Sequence, residues 1–127
     1  MKKWYIIFSV LMVILLAASC GPRLPEITDE QKTQAVQVMK NEPGVIDATI
    51  NQKGKELSLS ITVEFDTPEI RAKLLAEKFI TMMMYYGPES HLKWEEGIFN
   101  YSVTIIDPNE QIIMQGDKVS ESDHITW

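Results

Sequence analysis

The chain has 127 residues, with 12 Lys or Arg against 18 Asp or Glu, a formal net charge of −6 with histidine neutral. A balance of that sign repels phosphate backbones and excludes nucleic acid as a natural partner. A single cysteine excludes an internal disulfide, so stability must come from an apolar core, for which the length is sufficient in one compact domain.

Met1, Lys2 and Lys3 precede an apolar stretch from Trp4 to Ala18, broken by Ser9 and free of charge. This is the n-region and h-region pattern of a signal peptide. The run is shorter than the roughly 20 apolar residues that cross a bilayer core, and it ends in Ala17-Ala18-Ser19-Cys20-Gly21. Small residues leading to a cysteine resemble the lipobox of bacterial lipoproteins. The resemblance covers the first 21 residues and implies a signal peptide over 1–19, cleavage before Cys20, and a diacylglyceryl group on the Cys20 thiol. It further implies a lipid-anchored protein on the extracytoplasmic face of the cell membrane, with the outer membrane also open in a cell that has two. Two or three acyl chains, at roughly 0.8 kcal/mol per buried CH2, give lasting attachment where one is marginal. Loss of Lys2 and Lys3 leaves ten basic residues against 18 acidic ones, a net charge of −8, so membrane contact is expected through the lipid rather than through basic side chains.

Residues 20–27 form a short tether stiffened by Pro22 and Pro25; seven extended residues reach about 25 Å. The remainder, 28–127, is expected to be one globular domain. Thr28-Asp29-Glu30-Gln31 is a capping box opening a helix to about Asn41, which Pro43-Gly44 stops. Ile46, Ala48 and Ile50 alternate as a strand, and a turn at Asn51-Gln52-Lys53-Gly54 follows. Leu57, Leu59, Ile61, Val63 and Phe65 then alternate with Ser58, Ser60, Thr62 and Glu64, the pattern of a half-buried strand. Thr67 as N-cap and Pro68 at the first helical position open a second helix to about Tyr86. After a loop with His91, Trp94, Glu95 and Glu96, the segment Phe99–Ile106 alternates, turns at Asp107-Pro108-Asn109 and returns through Gln111–Gln115, with a short last strand near His124–Trp127.

The expected class is α+β, in the order α-β-β-α-β-β: one small antiparallel sheet with two helices packed on one face. From Thr28 to Gly87 the helix, Pro-Gly-Val, strand, turn, strand and helix resemble the topology of heavy-metal-associated domains and of the BON domains of bacterial envelope proteins. The paired-cysteine metal loop of the former is absent, and no residue role carries over from either.

No nucleophile stands with a base, and no cofactor motif appears; Gly54, Gly87, Gly97 and Gly116 are isolated turn residues rather than a phosphate loop. His91 and Glu95 lie in a loop with no second histidine nearby, and His124 beside Asp123 suits a local hydrogen bond. The acids between Asp107 and Asp123 lack calcium-loop spacing. The expectation is therefore no catalytic set, no metal site and no cofactor.

The second helix is the informative element. At 100° per residue Ala72, Leu75, Ala76, Phe79, Met82 and Met83 share a core-facing side, while Ile70, Leu74 and, less closely, Met84 fall on another. Ile70, Leu74 and Met84, with Trp94 from the loop, form a candidate partner surface; folding of the loop over Ile70 and Leu74 is the alternative. A second candidate is the polar sheet face of Ser58, Ser60, Thr62, Asn100, Ser102 and Thr104, which can be solvated or meet another sheet or a polymer. Together these point to a non-enzymatic envelope lipoprotein that binds a protein partner or itself. The rival is a small-ligand binder with a pocket between the second helix and the 88–97 loop.

Overall fold

In the computed structural model the described residues are 25–127; the signal peptide, Cys20 and the start of the tether lie outside them. Helix α1 spans Asp29–Lys40 and strands β1 and β2 span Val45–Lys53 and Glu56–Val63. Helix α2 spans Glu69–Tyr86, a 3-10 turn covers Trp94–Glu96, and strands β3 and β4 span Asn100–Ile106 and Ile112–Lys118. The α+β class and the element order agree with the sequence reading.

The sheet is mixed rather than antiparallel. Its strand order is β1-β2-β3-β4, with β1–β2 and β3–β4 antiparallel hairpins and β2–β3 parallel. The cause is the connection: parallel neighbours need a crossover of a dozen or more residues, and α2 is one. Two hairpins thus join in the middle through the helix that links them.

Local chemistry sets most element ends. The Thr28 hydroxyl accepts the Gln31 N–H at 3.2 Å and the Gln31 side chain accepts the Thr28 N–H at 2.9 Å, the expected capping box. The β1–β2 turn is tighter than the sequence suggests: β1 continues to Lys53 and only Gly54-Lys55 turn, with Gly54 at φ 60° as a II′-type turn requires. At α2 the expected cap shifts by one residue. Pro68, in extended geometry, is the N-cap; the Thr67 hydroxyl instead donates to the Glu64 carbonyl at 2.7 Å. Strand β4 starts one residue later than expected and runs on to Lys118, and the last-strand reading reduces to one bridge between Thr126 and Asp117.

The core lies between the helices and one face of the sheet. Leu57, Leu59, Ile61 and Val63 of β2 and Tyr101, Val103 and Ile105 of β3 meet Ala35 and Met39 of α1 and Ala72, Leu75, Ala76, Phe79, Ile80 and Met83 of α2. Met82, expected in this set, is only partly buried against it, and Ile80 takes the inward place instead. At roughly 25 cal/mol per Å2 of apolar area removed from water, this layer is the main favourable term. Two alternations break. A bulge between Val45 and Asp47 turns Ile46 outward, and β2 ends at Val63, leaving Phe65 exposed beside Asp66 at φ 63°.

The sheet has two unlike ends. One, the hairpin end, carries the Gly54-Lys55 turn, the 87–99 loop and the residues after β4. The other, the far end, carries the turns at 41–44, 64–68 and 107–111. Helix α2 starts at the far end and finishes at the hairpin end. Ile27 is buried and its N–H reaches the Gln52 side chain at 3.2 Å, so the chain enters the domain at the hairpin end.

Candidate functional site

At the hairpin end two charged side chains are buried, Glu89 at 1% exposure and Lys118 at 0%. One Glu89 carboxylate oxygen accepts the backbone N–H groups of Ile98 at 2.9 Å and Phe99 at 2.7 Å; the other accepts the Tyr101 hydroxyl at 3.1 Å. Register explains the neighbourhood, since Tyr101 pairs with Lys118 across β3–β4 and both point to the helix face. The Lys118 ammonium donates to the carbonyls of Trp94 at 2.8 Å and Val119 at 3.3 Å, and lies 5.6 Å from the Trp94 ring centroid.

Burial pushes the Tyr101 hydroxyl pKa up, and the Glu89 charge and hydrogen bond push it further. Burial lowers Lys118 from its ordinary value of 10.5, against the raising effect of Glu89, Glu95 and Asp123. Every buried side-chain polar atom among the described residues has a partner. The cluster therefore acts as a clasp, pinning the 87–99 loop and the start of β3 to the end of β4.

The predicted partner surface divides. Ile70 and Leu74 are exposed, at 72% and 53%, and the loop does not cover them. Met84 is core, at 5%, and Trp94 is half-buried over Lys118. With Met84 buried and Ile70 and Leu74 exposed, the four residues are not one surface. The exposed pair belongs instead to the far end: Ile46, Phe65, Ile112 and Ile113 are also exposed there, making six of the nine exposed large apolar residues described.

These residues come from turns that are bonded together. The Glu64 N–H reaches the Gly44 carbonyl at 3.0 Å, and Arg71 in the first turns of α2 donates to the Pro43 carbonyl at 3.1 Å. On the other side Thr62 pairs with Ile106, and Ile106 with Ile112. Arg71 and Lys78 both bind Glu42, and their hydrogen bonds hold its carboxyl below the ordinary range despite partial burial.

The open sheet face has the composition expected of it. Ser58 pairs with Ser102 and Ser60 with Thr104, with Asn51 and Thr49 beyond them on β1. His91 is exposed, and His124 Nδ1 lies 2.9 Å from Asp123 Oδ1, the local contact expected. Among the described residues no group of three His, Cys, Asp or Glu could hold a metal ion, and no helix is long and apolar enough to cross a membrane.

Sequence reasoning missed the clasp and most of the far-end patch. Lys118 was within reach, because continuing the β4 alternation from Met114 through Gly116 puts it inward. Glu89 carries no such signal, as it sits in a loop where acids are normally solvated. No family model, no curated protein and no solved structure matches this chain.

Proposed function

We propose that the chain is a bacterial envelope lipoprotein, anchored through acyl chains on Cys20, whose domain is a non-enzymatic interaction module. The observation that carries the module reading is the gathering of exposed Ile46, Phe65, Ile70, Leu74, Ile112 and Ile113 at one end of the sheet. Apolar residues scattered singly are ordinary on a surface, whereas six gathered at one end of a domain favour a contact site. Position supports the reading. The tether enters at the hairpin end beside Gln52, and strands of seven to nine residues put the apolar end about 25 Å further out. The patch then faces away from the bilayer and toward whatever stands above it.

The test of the anchor is Cys20→Ala in the full chain, followed by cell fractionation. Release from the membrane, or accumulation of the uncleaved precursor, is expected. A correctly cleaved protein that stays in the membrane fraction sinks the anchor. The module is tested separately by changing Phe65 to Ser in the anchored protein and reading recovery of its crosslinked complexes from intact cells. Complexes unchanged in yield remove the far end from the contact.

A further inference from the structure

We propose that the far end docks a basic, apolar segment of a partner protein, a reading that rests on the module proposed above and specifies what it takes. The apolar part is a band across the four strand ends, about 14 Å wide at roughly 4.8 Å per strand. Ile46 stands at the β1 side, Phe65 in the middle and Ile112 at the β4 side, with Ile70 rising from the band on α2.

Charge selects the occupant. The basic groups nearest this end are already paired: Lys40 with Asp47 at 3.4 Å, Lys73 with Glu69 at 3.2 Å, and Arg71 and Lys78 with Glu42. Glu64 and Asp66 in one turn and Asp107 and Glu110 in the other have no ion-pair partner among the described residues. The turns that carry Phe65 and lead into Ile112 therefore frame the apolar band with unneutralised carboxylates. A second copy brings the same carboxylates face to face, and an anionic lipid surface is repelled in the same way. A segment with apolar side chains flanked by Lys or Arg satisfies both the patch and its rim.

The experiment uses the full chain in phosphatidylcholine nanodiscs with Phe65, or separately Ile70, replaced by the photo-crosslinking residue p-benzoylphenylalanine. The probe is a synthetic amphipathic peptide of Leu and Lys, beside peptides of the same Leu pattern with Glu or Gln in place of Lys. Crosslinking to the Lys peptide, weakening as salt is raised, is expected. Glu64→Gln, Asp66→Asn and Glu110→Asn together should weaken it at least tenfold; Asn is chosen because Asp66 and Glu110 have positive φ. Glu95→Gln, Glu121→Gln and Asp123→Asn remove the same charge from the hairpin end and should leave it unchanged. Equal loss in both triple variants, or crosslinks mainly to lipid or to a second copy, overturns the proposal. Equal crosslinking of all three peptides also overturns it while leaving an apolar docking surface standing. No crosslink to any peptide takes the module reading down with it.

Discussion

The two ends of the sheet invert the usual distribution of side chains. The hairpin end buries a glutamate and a lysine, and the far end exposes isoleucines and a phenylalanine. Each inversion has its own physics. Glu89 and Lys118 are tolerable inside because every polar atom finds a partner, so their desolvation is offset by hydrogen bonds. The far-end apolar residues are tolerable outside because exposure of a side chain costs no fold energy; it forgoes only the gain of burial. A buried polar cluster therefore acts on the stability of its own domain, while an exposed apolar patch acts on association.

The widest separation of the two ends comes from Glu89→Ala. The change leaves the N–H groups of Ile98 and Phe99 and the Tyr101 hydroxyl without an acceptor and Lys118 without its nearest buried counter-charge. A loss of about 3–5 kcal/mol is expected, as for other broken buried charge networks. Urea denaturation measures it. A loss below about 1 kcal/mol would mean that water replaces the carboxylate and that the clasp is not closed.

Tyr101→Phe is a milder break at the same end, expected to cost about 1 kcal/mol near neutral pH for one lost hydrogen bond. Its sharper signature is alkaline. Tyr101 is raised above its ordinary 10.0, so the unfolded chain loses that proton first and stability falls as pH rises past 10. Lys118 works in the opposite sense: its folded value is below 10.5, so rising pH toward 10.5 favours the folded state. Denaturant melts from pH 8 to 11 should show the alkaline loss in the native protein and a smaller one in Tyr101→Phe. Parallel curves would place the loss elsewhere.

How much of this could be read from sequence differs between the ends. The fold class and element order follow from local signals: the alternation of β2, the capping box at Thr28 and the stop at Pro43-Gly44. The parallel pairing of β2 with β3 does not, because periodicity fixes which face a strand shows and not which neighbour it takes. Helix geometry set Ile70 and Leu74 apart from the core-facing side of α2, but not whether the following loop covers them. The exposure of Phe65 and Ile46 was not legible: a strand that ends at Val63 and a bulge at Val45 each break an alternation that the letters continue. The clasp was least legible, since its members lie in a loop, a strand start and a strand end that only the tertiary fold assembles.

Beside the apolar residues of the far end, the ion network of Glu42 with Arg71 and Lys78 ties the turn before β1 to α2. Its carboxyl is lowered from 4.5, chiefly by the Lys78 hydrogen bond, so its contribution is present above that pH and is lost as pH falls below it. Both bases are more than a third exposed, which limits the effect to about 1 kcal/mol. Glu42→Gln should therefore cost that much at pH 7 and less at pH 3, by urea melts at the two values. An equal cost at both would show that packing rather than charge is lost.

The smallest effect is expected at the far end. Changing Ile70 and Leu74 together to Glu places two charges on the outward side of α2, where both side chains already stand largely in water. Exposed substitutions of this kind usually stay within about 0.5 kcal/mol each. Glu at position 74 also stands four residues before Lys78, a spacing that favours opposite charges on a helix. The double variant should therefore melt within about 1 kcal/mol of the native protein, while Phe79→Ala, a cavity in the buried face of the same helix, should cost about 3–5 kcal/mol. Urea midpoints of the three proteins decide the matter. If the double variant unfolds as readily as Phe79→Ala, the outward side of α2 is covered in solution by part of the chain itself, and the far end loses its claim to be a free surface.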